Sequence, residues 1–346
     1  MGINRKTVIV FCPNWVGDVV MATPVFACLR HNFAGARLVG VIRKYAQGVV
    51  ADGPWFDHLI ACDDKTIRGF FILVQSIRHL QPEIAIVLPN SLRSTLAVWL
   101  AGVKNIYGYR RNYRSPLLSG GPVPLPEGKG FLPVPMVEYY LNICRWLGLD
   151  ISEQTKPTLY ISVSIAEKGR QLLENYGIHS EDMVIGLNPG AKFGSSKCWP
   201  PEYFAQLAEL FSARWNCKIL LFAGPGEDDI AKSISETSQA EIINTGPDKV
   251  DLSLLKYLVK RCQLLVTNDT GPRHYAVAFK VPVVVVMGPT DPRYTAANLE
   301  KTLVLRQELD CSPCHQKECP RNHECMVMIK PETVFDGSKR LLEKVK

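Results

Sequence analysis

A chain of 346 residues with 47% apolar side chains has the material for two domains of ordinary size, each with its own core. No apolar run approaches the roughly 20 residues of a spanning helix, and Val8–Cys12 stops at Pro13-Asn14. Arg5 and Lys6 imitate the charged start of a signal peptide, but the apolar stretch after them is too short and no small-residue cleavage site follows, so the expectation is a cytoplasmic protein. The net charge of +7 sits in the first half: residues 1–176 hold 19 Lys and Arg against 12 Asp and Glu, residues 177–346 hold 21 against 21. Such asymmetry suits an anionic partner on the N-terminal side: nucleic acid, anionic lipid or a phosphorylated glycan.

In chain order, a strand over Thr7–Cys12 leads through Pro13-Asn14-Trp15-Val16-Gly17-Asp18 into a helix expected from Val19 to Asn32. Strands at Arg37–Ile42 and Ile84–Leu88 alternate with helices at Phe70–Leu80 and Ser91–Ala101, which implies a parallel sheet covered on both faces. The pattern fails between Arg110 and Pro135, where Arg110, Arg111 and Arg114 precede a Pro- and Gly-rich stretch that reads as an exposed loop. A helix over Val137–Leu147 closes the first half. Ser164-Ile165-Ala166-Glu167 has a capping-box pattern, and the linker falls within residues 148–180.

A second series follows, with strands at Met183–Leu187, Lys218–Ala223, Ile242–Thr245, Cys262–Val266 and Val281–Met287. Helices at Pro201–Arg214, Asp228–Ser238, Leu252–Lys260 and Pro272–Phe279 separate them. The architecture therefore repeats: an α/β protein of two Rossmann-like domains, residues 1–165 and 166–330, with a cleft between them and a C-terminal helix, 331–346, crossing back to brace the first.

In such sheets ligands bind beyond the carboxyl ends of strands, and four loops there carry suitable chemistry. Asn268-Asp269-Thr270-Gly271-Pro272-Arg273-His274 opens a helix, whose unsatisfied N–H groups and positive dipole end receive an anion; an ordinary helix cap explains the same residues. Asn188–Pro200 sets small residues, hydroxyls and the lysines Lys192 and Lys197 ahead of a helix, as a diphosphate cradle would. Glu227, after Gly224-Pro225-Gly226, suits ribose hydroxyls or is simply a turn residue. Asp18 stands at a helix start, where a carboxylate is common, yet beside Trp15 and Gly17 it also suits a general base toward an acceptor hydroxyl. The first turn lacks G-x-G-x-x-G, which demotes a nicotinamide site. No Asp-x-Asp occurs, so a metal-held nucleotide sugar is not indicated.

Four segments carry a specific resemblance: Asn14–Met21, Asn188–Pro200, Asn268–Pro272, and Phe279–Val283 continuing to Gly288-Pro289-Thr290-Asp291-Pro292. Together they resemble the bacterial ADP-heptose:lipopolysaccharide heptosyltransferases, and within them the heptosyltransferase II branch. The resemblance spans nearly the whole chain. It implies a GT-B glycosyltransferase fold, an inverting reaction without a catalytic metal or other cofactor, ADP-heptose held by the C-terminal domain, and a lipid-anchored inner-core lipopolysaccharide acceptor held by the N-terminal one. The expected location is the cytoplasmic face of the inner membrane, peripherally bound, with no nucleic acid.

Carried over by residue, the resemblance makes Asp18 the base and Lys197 the phosphate-binding lysine, with Lys192, Ser195, Ser196, Glu227, Asp269, Thr270, Gly271 and His274 on the donor. Asn14, Trp15, Arg110, Arg111 and Arg114 are the acceptor candidates. Arg273, Tyr275 and Cys198 depart from the family pattern.

Of the 11 cysteines, seven are scattered and read as reduced core residues. Cys311, Cys314, Cys319 and Cys325 are clustered, interleaved with His315 and His323. Their number suits a structural zinc, although the spacing is not that of paired CxxC motifs; free thiols or oxidation-sensitive pairs are the alternatives. A nucleotide- or nucleic-acid-binding module with a zinc-type cysteine cluster is the competing functional reading, without a recognition helix or aromatic motif to support it.

Overall fold

The computed structural model describes residues 6–63, 66–128, 130–151 and 155–345. Arg5, Lys346 and residues 152–154 of the expected linker lie outside the described residues. The chain divides into two compact units, Met1–Tyr160 with Arg293–Ala297, and Ile161–Pro292 with Asn298–Lys346.

In the first unit β1 (Thr7–Phe11) is followed by α1 (Val16–Met21) and α2 (Thr23–Asn32). One long helix was expected there; Pro24 in the first turn of α2 cannot continue the preceding ladder, and the helix breaks at Ala22. Then come β2 (Arg37–Arg43), α3 (Gln47–Val50), β3 (His58–Cys62), α4 (Ile67–His79), β4 (Ile84–Val87), α5 (Leu92–Leu100) and β5 (Asn105–Tyr107). After them stand a short hairpin, β6 (Pro126–Glu127) and β7 (Gly130–Phe131), and α6 (Met136–Trp146). The parallel sheet has the order β3-β2-β1-β4-β5. The central strand β1 is buried along its whole length, as expected of a strand covered on both faces. Ile9, Phe11, Val39 and Val41 meet Phe70, Leu73 and Ile77 of α4 and Val98 of α5 in the core.

In the second unit the elements are α7 (Val163–Asn175), β8 (Met183–Asn188), α8 (Pro201–Arg214), β9 (Cys217–Leu221), α9 (Asp228–Thr237), β10 (Ile242–Asn244), α10 (Leu252–Arg261), β11 (Leu264–Asn268), α11 (Gly271–Phe279), β12 (Val283–Val286), β13 (Thr302–Leu305), α12 (Glu324–Val327) and α13 (Pro331–Val345). Its parallel sheet has the order β10-β9-β8-β11-β12-β13. Ser162, rather than Ser164, caps α7, accepting from the Ile165 N–H. The expectation that the last helix braces the first domain is corrected: α13 packs on α8, β12 and β13. Its apolar face explains the choice, since Val334 and Leu341 enter the second core and Phe335 lies against Phe211 and Trp215.

Both sheets reverse their strand order at one point, beside β1 and β4 in the first and beside β8 and β11 in the second. Loops that leave adjacent strands in opposite directions open a crevice there, where α/β sheets take ligands. The segment carrying Asp18 leaves β1, the one carrying Lys197 leaves β8, and the one carrying Asp269 leaves β11.

Candidate functional site

In the first unit, Asp18 occupies the first turn of α1 and is half-buried. The Tyr140 hydroxyl, from α6 and 122 residues away in sequence, donates to its Oδ1 at 3.0 Å. Burial, then the Asp18 charge, pushes the Tyr140 phenol well above its ordinary range, so the hydroxyl keeps its proton and remains a donor. Asn14 is held on both sides: its Oδ1 accepts from Arg43 Nε at 3.0 Å, and its carbonyl from the Tyr45 hydroxyl. Between them Trp15 is exposed.

The three arginines expected on one exposed loop part company. Arg110 is exposed, whereas Arg111 is partly covered, its guanidinium 4.3 Å from the Phe131 ring centroid. Arg114 is fully buried, which corrects its assignment as an acceptor residue. It donates to the carbonyls of Tyr109 (2.9 Å) and Pro89 and to Asn90 Oδ1 (3.1 Å), tying the loop to the end of β4. Burial lowers its pKa to about 10, so it stays charged and its donors are spent on protein acceptors.

In the second unit three side chains make four hydrogen bonds to Asp269. Lys197 Nζ donates to its Oδ2 at 2.9 Å and to its carbonyl at 2.8 Å, Arg273 Nη1 to Oδ1 at 2.8 Å, and Thr290 Oγ1 to Oδ2 at 2.8 Å. Burial alone would raise the Asp269 carboxyl, but the two cations and the hydrogen bonds prevail and hold it well below the usual carboxylate range. His274, buried in the same turn, is lowered to about 3 by burial and by Arg273, and is therefore neutral at ordinary pH. Thr270 caps α11 in an extended conformation; its hydroxyl accepts from Asn188 Nδ2 at 3.1 Å, which links the ends of β8 and β11. Gly271 begins the helix with its N–H in the unsatisfied first turn.

Glu227 lies beside the same loops. Its Oε2 accepts from the Gly224 N–H at 2.7 Å, and a Cβ placed on Gly190 would stand 1.9 Å from its Oε1, so only glycine allows this approach. Lys192 and Ser195 are exposed. Ser196 departs from expectation: it is buried, and its hydroxyl donates to the Gln316 carbonyl at 2.6 Å. Its N–H donates to the Lys317 carbonyl at 3.0 Å, and its own carbonyl accepts from His323 Nε2 at 2.7 Å. The cysteine-rich segment is thus the support beneath the Lys197 loop. Burial and the nearby Cys319, Cys314 and Cys311 push the Cys325 thiol up to about 11. Yet all four are free thiols, and among the described residues no group of three or more His, Cys, Asp or Glu is arranged to hold a metal ion.

Sequence reasoning missed Tyr140 and Thr290 as parts of the site, because no local spacing announces a partner on a distant element. Arg273 was legible in principle: it stands four residues after Asp269, the separation at which opposite charges meet across a helical turn.

Comparisons with known proteins identify the family. Residues 70–324 match the model of glycosyltransferase family 9 (heptosyltransferase). The chain is similar to lipooligosaccharide heptosyltransferase 2 of Campylobacter jejuni, 26% identical over 343 residues that cover 97% of this chain and 98% of that protein. To lipopolysaccharide heptosyltransferase 2 of Escherichia coli K12 it is 26% identical over 348 residues, covering 97% of this chain and 98% of the other. The solved ADP-heptose lipopolysaccharide heptosyltransferase II of Escherichia coli superimposes with a TM-score of 0.80 at 24% identity, over 98% of this chain and 99% of that one, which shows the GT-B type of fold. With three quarters of its length in the family model and both sheets in place, the chain belongs to glycosyltransferase family 9, the heptosyltransferases.

Proposed function

We propose that the protein transfers heptose from ADP-heptose to the inner core of lipopolysaccharide, with inversion at the anomeric carbon, on the cytoplasmic face of the membrane that anchors the acceptor. The donor is that of the similar Escherichia coli enzyme, and the lipopolysaccharide acceptor class is that of the similar heptosyltransferases. The observation that carries the reading is the charge arrangement at the start of α11. Lys197 and Arg273 set two positive charges against the single negative charge of Asp269, beside the unpaired N–H groups of a helix N-terminus. That excess suits a diphosphate and supplies, without a metal, the countercharge that a departing ADP needs.

In the proposed step Asp18 accepts the proton of the acceptor hydroxyl, whose oxygen bonds to the anomeric carbon of the heptose as the bond from that carbon to the diphosphate oxygen breaks. ADP leaves with the electron pair, and Lys197 with the N–H groups at Thr270 and Gly271 takes up its charge. Tyr140 holds the carboxylate in place. Arg110 and Arg111 receive acidic groups of the acceptor, and Glu227 receives the ribose hydroxyls of the donor.

The test is incubation with ADP-heptose and defined core acceptors, followed by NMR of the new linkage. We expect an anomeric configuration opposite to that of the donor. Retention would overturn the single displacement, and transfer from another nucleotide sugar in preference to ADP-heptose would overturn the donor assignment.

A further inference from the structure

The two helices on one face of the first sheet, α4 and α5, bury one side each and expose the other. On α4 the outward arc carries Ile67, 77% exposed, with Phe71 at 54% and Ile72 at 53%; on α5 it carries Leu92 and Trp99, each about half exposed. Large apolar side chains scattered singly are ordinary surface, but a contiguous set is not. Contiguity follows from how the helices are tied. Arg93 at the start of α5 donates to the Thr66 carbonyl at the start of α4 (3.1 Å) and lies 4.7 Å from the Phe70 ring centroid. Arg78 at the end of α4 donates to the Leu100 carbonyl at the end of α5 (2.6 Å). The helices therefore run side by side in the same direction, and their outward arcs form one face.

The charge on that face has a single sign. Arg68, Arg78 and Arg93 are all exposed, and neither helix contains an Asp or Glu; the acidic Asp63 precedes α4. Exposed aliphatic and aromatic side chains among arginines, with no acid between them, are the composition of a helix that lies in the headgroup layer of an anionic membrane. No described helix is long and apolar enough to cross a membrane, so contact through this face would be peripheral. Its position is also apt. Ile67 and Leu92 follow the carboxyl ends of β3 and β4, the same end of the sheet from which the Asp18 segment leaves β1.

We infer that the outer face of α4 and α5 docks the protein on an anionic phospholipid surface, with Ile67, Phe71 and Trp99 entering the acyl boundary and Arg68 engaging phosphate headgroups. The inference deepens the function proposed above and rests on it for the lipid-anchored acceptor, but its measurement uses neither donor nor acceptor. The full chain is sedimented with vesicles of phosphatidylethanolamine and phosphatidylglycerol, and separately with vesicles of phosphatidylcholine alone. We expect binding to the first and little to the second, weakening as salt is raised. Replacing Ile67 and Phe71 together by Asp should lower partitioning at least about tenfold, and Arg68→Glu about fivefold or more. Turnover on a water-soluble acceptor should be unchanged in both.

The double replacement by Ser is the milder variant if the Asp pair fails to fold, judged by circular dichroism and Tm. Equal vesicle binding by wild type and variants overturns the inference. So does a wild type that ignores vesicles and forms a dimer the variants dissolve, since the face would then belong to a second copy. Intact vesicle binding with no heptose transfer to any acceptor would instead remove the function proposed above and leave the docking face standing.

Discussion

Asp18 and Asp269 each stand just beyond the carboxyl end of a sheet strand, at the entry to a helix, and the protein treats them in opposite ways. Asp269 is buried between Lys197 and Arg273, and its charge is locked in by two cations. Such a carboxylate is a poor proton acceptor, because protonating it would leave both cations unbalanced. Asp18 is half-buried and accepts from a neutral phenol that orients it without adding charge. On the proposed mechanism the more conspicuous motif, Asp-Thr-Gly, is the electrostatic hub of the donor site, and the less conspicuous aspartate is the one that takes the proton.

The largest expected effect falls on the hub. Asp269→Asn removes the carboxylate that Lys197 and Arg273 share, and breaking a buried pair in this way costs about 3 to 5 kcal/mol; denaturant unfolding reads it directly. Asp18→Asn should leave stability almost unchanged but lower kcat about 100-fold or more, some 2.7 kcal/mol of barrier, with ADP binding intact by calorimetry. Near-normal turnover would strip Asp18 of its role and erase the contrast.

Arg114 sharpens the same point in the first unit. Arg114→Met strands the carbonyls of Tyr109 and Pro89 and should cost about 2 to 4 kcal/mol in stability. Replacing Arg110 and Arg111 by Gln should instead raise the acceptor KM, more at low salt than at high, and leave ADP affinity alone. A pair of variants with the same phenotype would count against that separation.

Tyr140→Phe has a smaller effect, about 1 kcal/mol or roughly fivefold in kcat. Because losing a donor to the charged form raises a carboxylate pKa, the acid limb of the pH–rate profile should move to higher pH. A kcat loss without that movement would indicate a packing role only.

At neutral pH the smallest effect concerns His274. Its folded pKa of about 3 lies below the ordinary 6.5, so between those values the unfolded chain binds more protons than the native one. Stability is accordingly full above about pH 6.5 and falls as the pH is lowered toward 3. His274→Asn should flatten the dependence of Tm on pH across this window, and an unaltered slope would assign it to other groups.

Much of the fold was legible because parallel sheets buried on both faces need continuous apolar strands, as at β1, β11 and β12. The edge strands β3 and β13 were not, since they are partly exposed and their apolar runs, Leu59–Cys62 and Leu303–Leu305, are short. The site divides similarly. Asp18, Lys197 and Asp269 could be chosen from the chain alone, as charged residues in loops that end strands and open helices, and the resemblance to a known family rested on those same segments. Their chemistry could not, because a carboxylate's behaviour depends on which groups stand within a few ångströms of it. Tyr140 reaches Asp18 across 122 residues, and Lys197 reaches Asp269 across 72. For the same reason Arg114 reads as a loop cation in sequence and proves to be a buried crosslink, while α13 braces the second sheet. Local patterning dictates where strands, helices and loop charges fall; burial and long-range pairing decide which of those charges remain available to a ligand.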